Sequence, residues 1–171
     1  MQITIRPARV ADVRVIRSLV EPLSADRVLV SKDAVAYYEA LQQFIVAETE
    51  PADGTAPQVV GFGALHVLWE DLAEVRTLAT DPAYRRQGVG HVLLEALLDK
   101  ARELGVHRVF CLTFEVSFFA AHGFAPIEGT PVEPEVYAQL LRSYDEGVAE
   151  FLDLDRVKPN TLGNTRMMRV L

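Results

Sequence analysis

The run Arg85-Arg86-Gln87-Gly88-Val89-Gly90 sets two guanidinium groups and two glycines at the head of an amphipathic stretch that extends to Leu104. That placement suits a phosphate. The first turn of a helix has N–H groups without intrahelical acceptors and carries the positive end of the helix dipole, and glycine lets an anion come close to the backbone. Arg85 and Arg86 add charge at the same corner. A dinucleotide fingerprint would need a third glycine where Leu93 stands, and a P-loop would need Gly-Lys-Ser/Thr, which is absent. As an isolated pattern, the same letters serve as a tight turn that opens a helix.

A second reactive group precedes this loop. Glu74 opens the stretch EVRTLAT and could act as a general base; its alternative is an ion pair with Arg76, two positions on and on the same face of a strand. His66, Glu70 or Asp71 could hold a proton-relaying water instead. Cys111 sits between Phe110 and Leu112, the setting of a small core hydrophobe rather than a nucleophile, so no covalent intermediate on it is expected. His66, His91, His107 and His122 lack ligand-like spacing with each other or with Cys111, so no metal is expected.

The elements that must position these groups follow from periodicity. A strand is expected over Gln2–Arg6, then a helix capped by Asp12 and stopped by Pro22. Another cap within Ser31–Asp33 precedes a helix carrying Val35, Tyr38, Leu41 and Gln42, which runs into a strand at 44–47. After a hairpin loop at 50–57 comes a long strand, 58–68, with Gly61 and Gly63 at a bend or bulge, and then a strand at 74–80. The clearest helix carries Val89, Val92, Leu93, Ala96, Leu97, Ala101 and Leu104 on one stripe, with Gly105 ending it. A compact strand at 108–113 fits a sheet interior. Beyond it, 117–122 and 134–144 read as helices, 124–127 as a strand and 166–171 as a last edge strand. The order predicts a mixed α/β (α+β) sheet covered by helices, not a doubly wound parallel one.

With 171 residues, half of them hydrophobic, the chain has the size of a single domain, 1–171. A net charge of -7 argues against a general grip on nucleic acid. No apolar run is long enough to cross a bilayer, and the first residues, MQITIRPARV, resemble no targeting segment, so a cytoplasmic protein is expected.

The stretch LATDPAYRRQGVGHVLLEALLDKARELG resembles the acetyl-CoA motif of GNAT-type N-acetyltransferases, R/Q-x-x-G-x-G/A, with Arg85, Gly88 and Gly90 at its fixed positions. The resemblance implies a twisted, mostly antiparallel sheet flanked by helices. It implies pyrophosphate contacts from the loop of Arg85, Arg86, Gln87, Gly88, Val89 and Gly90, and backbone contacts to the pantetheine arm from Leu78, Ala79 and Thr80. An oxyanion donor is implied near Leu78 or Ala79, and Glu74 matches an acidic position that several members use as base. FFAAHGF resembles the family's later F-Y-x-x-x-G-F element, but Phe119 stands where many members place a tyrosine acid. A thiolate leaving group, with a thiol pKa near roughly 8.5, does not require that acid, and Tyr84, Tyr144 or water could substitute.

Within that family the chain resembles the acetyltransferase domain of bacterial N-acetylglutamate synthases. IRPARVADVRVIRSLVEPL, VLVSKD, GFGALHVLWEDLAEVRTLATDP, RVFCLTFEVSFFAAHGF and LGNTRMMRVL carry that likeness across nearly the whole chain. It implies acetyl transfer from acetyl-CoA to the α-amino group of glutamate, or of glutamine, at the entry to arginine biosynthesis, in a short stand-alone form. Two carboxylates on a substrate call for cationic ligands, and Lys32, Arg76, Lys158 and Arg166, with Asn160 and Asn164 beside them, fall in segments similar to the synthase's substrate loops. Segment 131–171 would close over the substrate. A homodimer is compatible with this reading. The competing expectations are transfer to another amine, such as a protein N-terminus or an antibiotic, and a non-catalytic acyl-CoA sensor.

Overall fold

The computed structural model describes residues 2–26, 29, 32–50, 54–161 and 163–171, with the backbone alone at 160 and 161. The elements are β1 (Ile3–Pro7), α1 (Asp12–Ala25), α2 (Ala34–Glu39), β2 (Phe44–Thr49), β3 (Gln58–Trp69), β4 (Leu72–Thr80), α3 (Val89–Glu103), β5 (Arg108–Thr113), α4 (Val116–Ala121), β6 (Ala125–Pro126), α5 (Pro134–Leu140), α6 (Glu146–Phe151), α7 (Lys158–Thr161) and β7 (Thr165–Val170). The strands form one sheet of order β1-β2-β3-β4-β5-β7-β6. Pairing is antiparallel at β1–β2, β2–β3, β5–β7 and β6–β7, and parallel at β4–β5, where α3 makes the crossover. This is the mixed sheet that the order of elements implied, and it is mostly antiparallel as the family resemblance implied. The chain clusters into two compact units, Met1–Leu65 with Thr77–Lys100 and His66–Arg76 with Ala101–Leu171, and β3 and β4 each contribute to both.

The first unit buries Val13, Ile16 and Val20 of α1 with Tyr37, Phe44, Val46, Phe62 and Ala64. Two expectations about α1 need correction. Pro22 does not stop the helix, because the last turn still closes through Asp26 N donating to Pro22 O at 3.1 Å. Asp12 is not the cap: Ala11 holds that position, and the Asp12 carboxylate instead accepts from Arg9 N (2.6 Å) and Arg6 (2.7 and 3.0 Å), tying β1 to α1. The run after Asp33 also divides, into α2 and a short 3-10 turn at Leu41–Gln43. Ser31 lies outside the described residues.

Gly61 and Gly63 show why β3 carries glycine. The β2–β3 register shifts where Ala47 pairs with Gly61 and Glu48 with Val59, so the irregularity falls beside Gly61 as expected. Both positions also face crowded side chains. A Cβ on Gly61 would lie 2.8 Å from Val89 and 2.9 Å from Leu93, and one on Gly63 would lie 2.9 Å from Leu78 and from Leu97. Glycine thus lets α3 lie close on the strand. The buried face of α3 is Val89, Leu93, Leu94, Leu97, Leu98 and Ala101; Leu104, placed on the stripe by periodicity, is exposed because the helix ends before it and turns at Gly105, φ 80°.

The second unit packs Leu68, Leu72, Phe110, Leu140, Val148, Phe151 and Leu152, with the Phe110 and Phe151 rings edge to face at 5.3 Å. β5 is interior, flanked by β4 and β7. β7 is not the edge strand expected, since the two residues of β6 pair outside it, Ala125 with Met168 and Pro126 with Met167. The helix expected over 134–144 stops at Leu140, and a new one, α6, opens after Asp145.

Candidate active site

The loop after β4 is fixed from within. Asp81 accepts from Ala83 N at 2.9 Å across a 3-10 turn at Pro82–Tyr84, and Gln87 Nε2 donates to Ala83 O at 3.1 Å. Arg86 (φ 62°) and Gly88 (φ 86°) both take left-handed backbone, which turns the chain sharply into α3. Gly88 O accepts from Val92 N at 3.1 Å, and Val89 is buried, while Arg85, Arg86, Gln87 and Gly88 are exposed. A Cβ built on Gly88 meets nothing within 4 Å. The residues therefore fit a diphosphate: helix N–H groups, two cations and open room above a strained turn. Leu78, Ala79 and Thr80 form the end of β4, beyond the Leu72–Glu74 segment that pairs with β5. Thr77, just before them, has φ 55°, a strained value for a β-branched residue.

The start of β4 carries a different kind of structure. Glu74 is 3% exposed, and its Oε2 lies 2.8 Å from Arg76 Nη2. The same guanidinium forms a two-pronged bond with Asp145, Nη1 to Oδ2 and Nη2 to Oδ1, both 2.9 Å. Asp145 is in turn held as the cap of α6, accepting from Val148 N at 3.1 Å, with its own N–H given to Ser143 Oγ. His66 Nε2 stands 3.6 Å from Asp145 Oδ2. Gly147 packs directly on the pair: a Cβ there would overlap Glu74 Oε2 and lie 2.8 Å from Glu74 Cδ and Arg76 Nη2.

The electrostatics follow from this packing. Burial opposes the charge on Arg76, but Glu74 and Asp145 outweigh it, and the guanidinium's pKa is raised. Burial likewise opposes the Asp145 charge, yet the bonds from Arg76 win and push its carboxyl down to about 2. The thiol of Cys111 is buried and shifted well up, first by desolvation and then by Glu74, which leaves it inert as a nucleophile near neutral pH.

The remaining sequence candidates separate. Arg76, expected as a ligand for substrate carboxylates, has its two terminal nitrogens on protein carboxylates; its Nε is buried with no hydrogen-bond partner among the described residues. Arg166 donates from Nε to Glu150 O at 3.1 Å and from Nη2 to Phe151 O, holding the end of α6. Lys158 pairs with Asp153 at 2.5 Å on the surface. Lys32 lines a surface groove with Arg14, Arg17 and Tyr37. Asn164 is half-buried just before β7, and the Asn160 side chain lies outside the described residues. Phe119 is a packing residue, 6% exposed and edge-on to Phe118 and Phe124 at 5.3 and 5.2 Å. Tyr144 is 98% exposed, and Tyr84 donates to Gln58 Oε1 at 3.5 Å. Asp71, offered as a water holder, is engaged by Arg108 at 2.9 Å. Sequence reasoning missed Asp145 and Gly147. The available signal was an Asp followed by Glu146 in a first turn, which marks a helix cap but not its partner.

Comparison with known proteins bears on the same residues. Residues 17–125 match the Acetyltransferase (GNAT) family. The chain is 55% identical to an amino-acid acetyltransferase of Mycobacterium tuberculosis over 98% of its own length and 94% of the relative's. It is 31% identical to an amino-acid acetyltransferase of Aeromonas salmonicida over 75% of this chain but 28% of that protein. A Mycobacterium tuberculosis structure in complex with CoA and NLQ superposes with a TM-score of 0.91, at 55% identity, covering 98% of this chain and 99% of that one. The fold is also that of a Neisseria gonorrhoeae N-acetylglutamate synthase solved with CoA and N-acetyl-glutamate, TM-score 0.77 at 23% identity, covering 100% of this chain and 35% of that chain. With a phosphate-type loop at the head of α3, a buried carboxylate on the strand before it and a family match over more than half its length, the chain belongs to the GNAT family of acetyltransferases.

Proposed function

We propose that the protein transfers acetyl from acetyl-CoA to the α-amino group of a small amino acid, glutamate or glutamine, at the entry to arginine biosynthesis. The observation that carries the acetyl-CoA half is the turn at Arg86 and Gly88, which opens α3 with room for a diphosphate. The amino-acid half is supported by the amino-acid acetyltransferase that is 55% identical along nearly the full chain. In this reading the N–H groups at Gln87–Gly90 and the charges of Arg85 and Arg86 hold the pyrophosphate. The backbone of Leu78, Ala79 and Thr80 runs along the pantetheine arm and supplies the oxyanion donor.

Glu74 takes the proton from the attacking amine, which must be neutral to react. Lys32 and Lys158 are the candidate ligands for the substrate's carboxylates, with Asn164 as a neutral neighbour, and segment 131–171 covers the substrate. The inert Cys111 supports direct transfer. Phe119 packs against the acyl-CoA side without donating a proton.

The test is thiol release from acetyl-CoA across glutamate, glutamine, other amino acids, a peptide N-terminus and an aminoglycoside. Turnover confined to glutamate or glutamine is expected. Turnover only with the peptide or the aminoglycoside moves the protein to another acceptor class, and tight CoA binding without turnover on any amine makes it a sensor.

A further inference from the structure

The cluster on β4 and α6 contains two carboxylates and one guanidinium, and the guanidinium is not shared evenly. Arg76 gives Asp145 two aligned hydrogen bonds of 2.9 Å and touches Glu74 through one nitrogen at 2.8 Å. A planar two-pronged pair is stronger and more directional than a single contact. We propose that Asp145 is a positioning residue for the acetyl transfer: it occupies the Arg76 guanidinium so that the Glu74 carboxylate keeps its capacity to accept the substrate amine's proton. The proposal rests on the reading of Glu74 as base.

Three observations meet in it. First, Glu74, Arg76 and Asp145 together carry one net negative charge, which favours an approaching ammonium; Glu74 and Arg76 alone would be neutral. Second, Gly147 follows Asp145 on α6 and leaves the space in which the Glu74 carboxylate lies, so one short helix start sets both the counter-charge and the clearance. Third, Asp145 is also held from its own side, its carboxylate by Val148 N and its backbone N–H by Ser143 Oγ. Among the described residues, the titratable and charged groups of the cluster include Arg76 on β4 and Cys111 on β5 beside Glu74, and Asp145 at the cap of α6 with His66 of β3 against it. Cys111 is neutral near pH 7, and His66 lies against Asp145.

The experiment compares the full chain with Asp145→Asn, Glu74→Gln and the double variant, in turnover with the amino acid found in the panel. Asn also caps helices, so the fold of α6 is retained; Asp145→Ser, another capping residue without charge, replaces it where the Asn protein does not fold. The expected result for Asp145→Asn is a loss of tenfold or more in kcat with KM for acetyl-CoA unchanged. The acidic limb of its kcat profile should move to lower pH, since an unshared Arg76 makes Glu74 a weaker base. Asp145→Glu should restore part of the rate. The double variant should be no slower than Glu74→Gln, the non-additivity of two residues acting through one group.

Additive losses in the double variant would overturn the proposal. A rise in amino-acid KM with kcat and its pH limb unchanged would also overturn it and assign Arg76 to the substrate. If Glu74→Gln alone leaves kcat and its pH profile at the parent's values, the base reading itself fails, an outcome distinct from either of these.

Discussion

The turn at Arg85–Gly88 and the cluster at Glu74, Arg76 and Asp145 are built in opposite ways. The turn is exposed and made of backbone: two left-handed residues, a helix start and an open space where a side chain would meet nothing. The cluster is buried and made of side chains, so tightly that Gly147 has no room for a Cβ. In the proposed reading, the turn recognises the diphosphate by charge and not shape, through backbone N–H groups and exposed arginines. In the same reading, the cluster is where the amine is handled. Substitutions should therefore split: those in the turn change affinity for acetyl-CoA, and those in the cluster change turnover and stability.

The largest effect is expected from Glu74→Gln, which keeps shape and removes the base. General-base catalysis is worth about 10²- to 10⁴-fold, so kcat should fall in that range, most at low pH, while KM for acetyl-CoA stays near the parent's. Steady-state kinetics from pH 6 to 9 would check it, and a flat ratio of parent to variant across that range would return Glu74 to a structural ion pair.

Next comes the stability held by Asp145. Its folded pKa, about 2, lies below the ordinary value of 3.8, so the ion pair's contribution is complete above about pH 4 and disappears as pH falls through about 2. At pH 7 it amounts to about 2 kcal/mol. Urea unfolding of the parent and Asp145→Asn should show that gap at pH 7 and see it close between pH 4 and 2. A gap of the same size at pH 2 would mean that the carboxylate contributes packing rather than charge.

A smaller change, about tenfold, is expected in acetyl-CoA affinity for Gly88→Val, since φ 86° disfavours a β-branched side chain and the Cβ enters the space reserved for the diphosphate. Calorimetric titration of CoA into folded protein measures it directly, and unchanged affinity would remove the diphosphate assignment. Cys111→Ala should do least: about 1 kcal/mol of stability, from a small buried truncation, with turnover intact. Lost turnover in a stably folded Cys111→Ala protein would reopen covalent chemistry.

What could be read from residues alone tracks the distance over which each feature is determined. The loop and α3 are local: Gly88, the stripe from Val89 and the stop at Gly105 lie close together in sequence, and the structure follows them except that Leu94 and Leu98 are buried while Val92 and Ala96 are half-buried and Leu104 is exposed. The β4–α3–β5 crossover and the interior place of β5 were likewise legible from apolar runs. The role of Arg76 was legible in part: its pairing with Glu74 follows from their spacing on one strand face, but its second partner does not. Its partner Asp145 is 69 positions away, and nothing in the order of residues says which of many aspartates closes on it. Gly61 was legible as an irregularity in β3, but its packing against Val89 and Leu93 depends on where the helix comes to rest. Pro22 misled because a proline late in a helix removes only one donor, while its own carbonyl still accepts from Asp26 N and closes the last turn.

The most direct test of the central claim is product identification after incubating the purified chain with carbon-13 acetyl-labelled acetyl-CoA and an equimolar mixture of glutamate and glutamine. The account predicts CoA and an α-N-acetylated amino acid in one-to-one ratio, with the label on the α-nitrogen and none on the protein. Label retained on Cys111, or acetyl-CoA left unconsumed with both amino acids present, would contradict it.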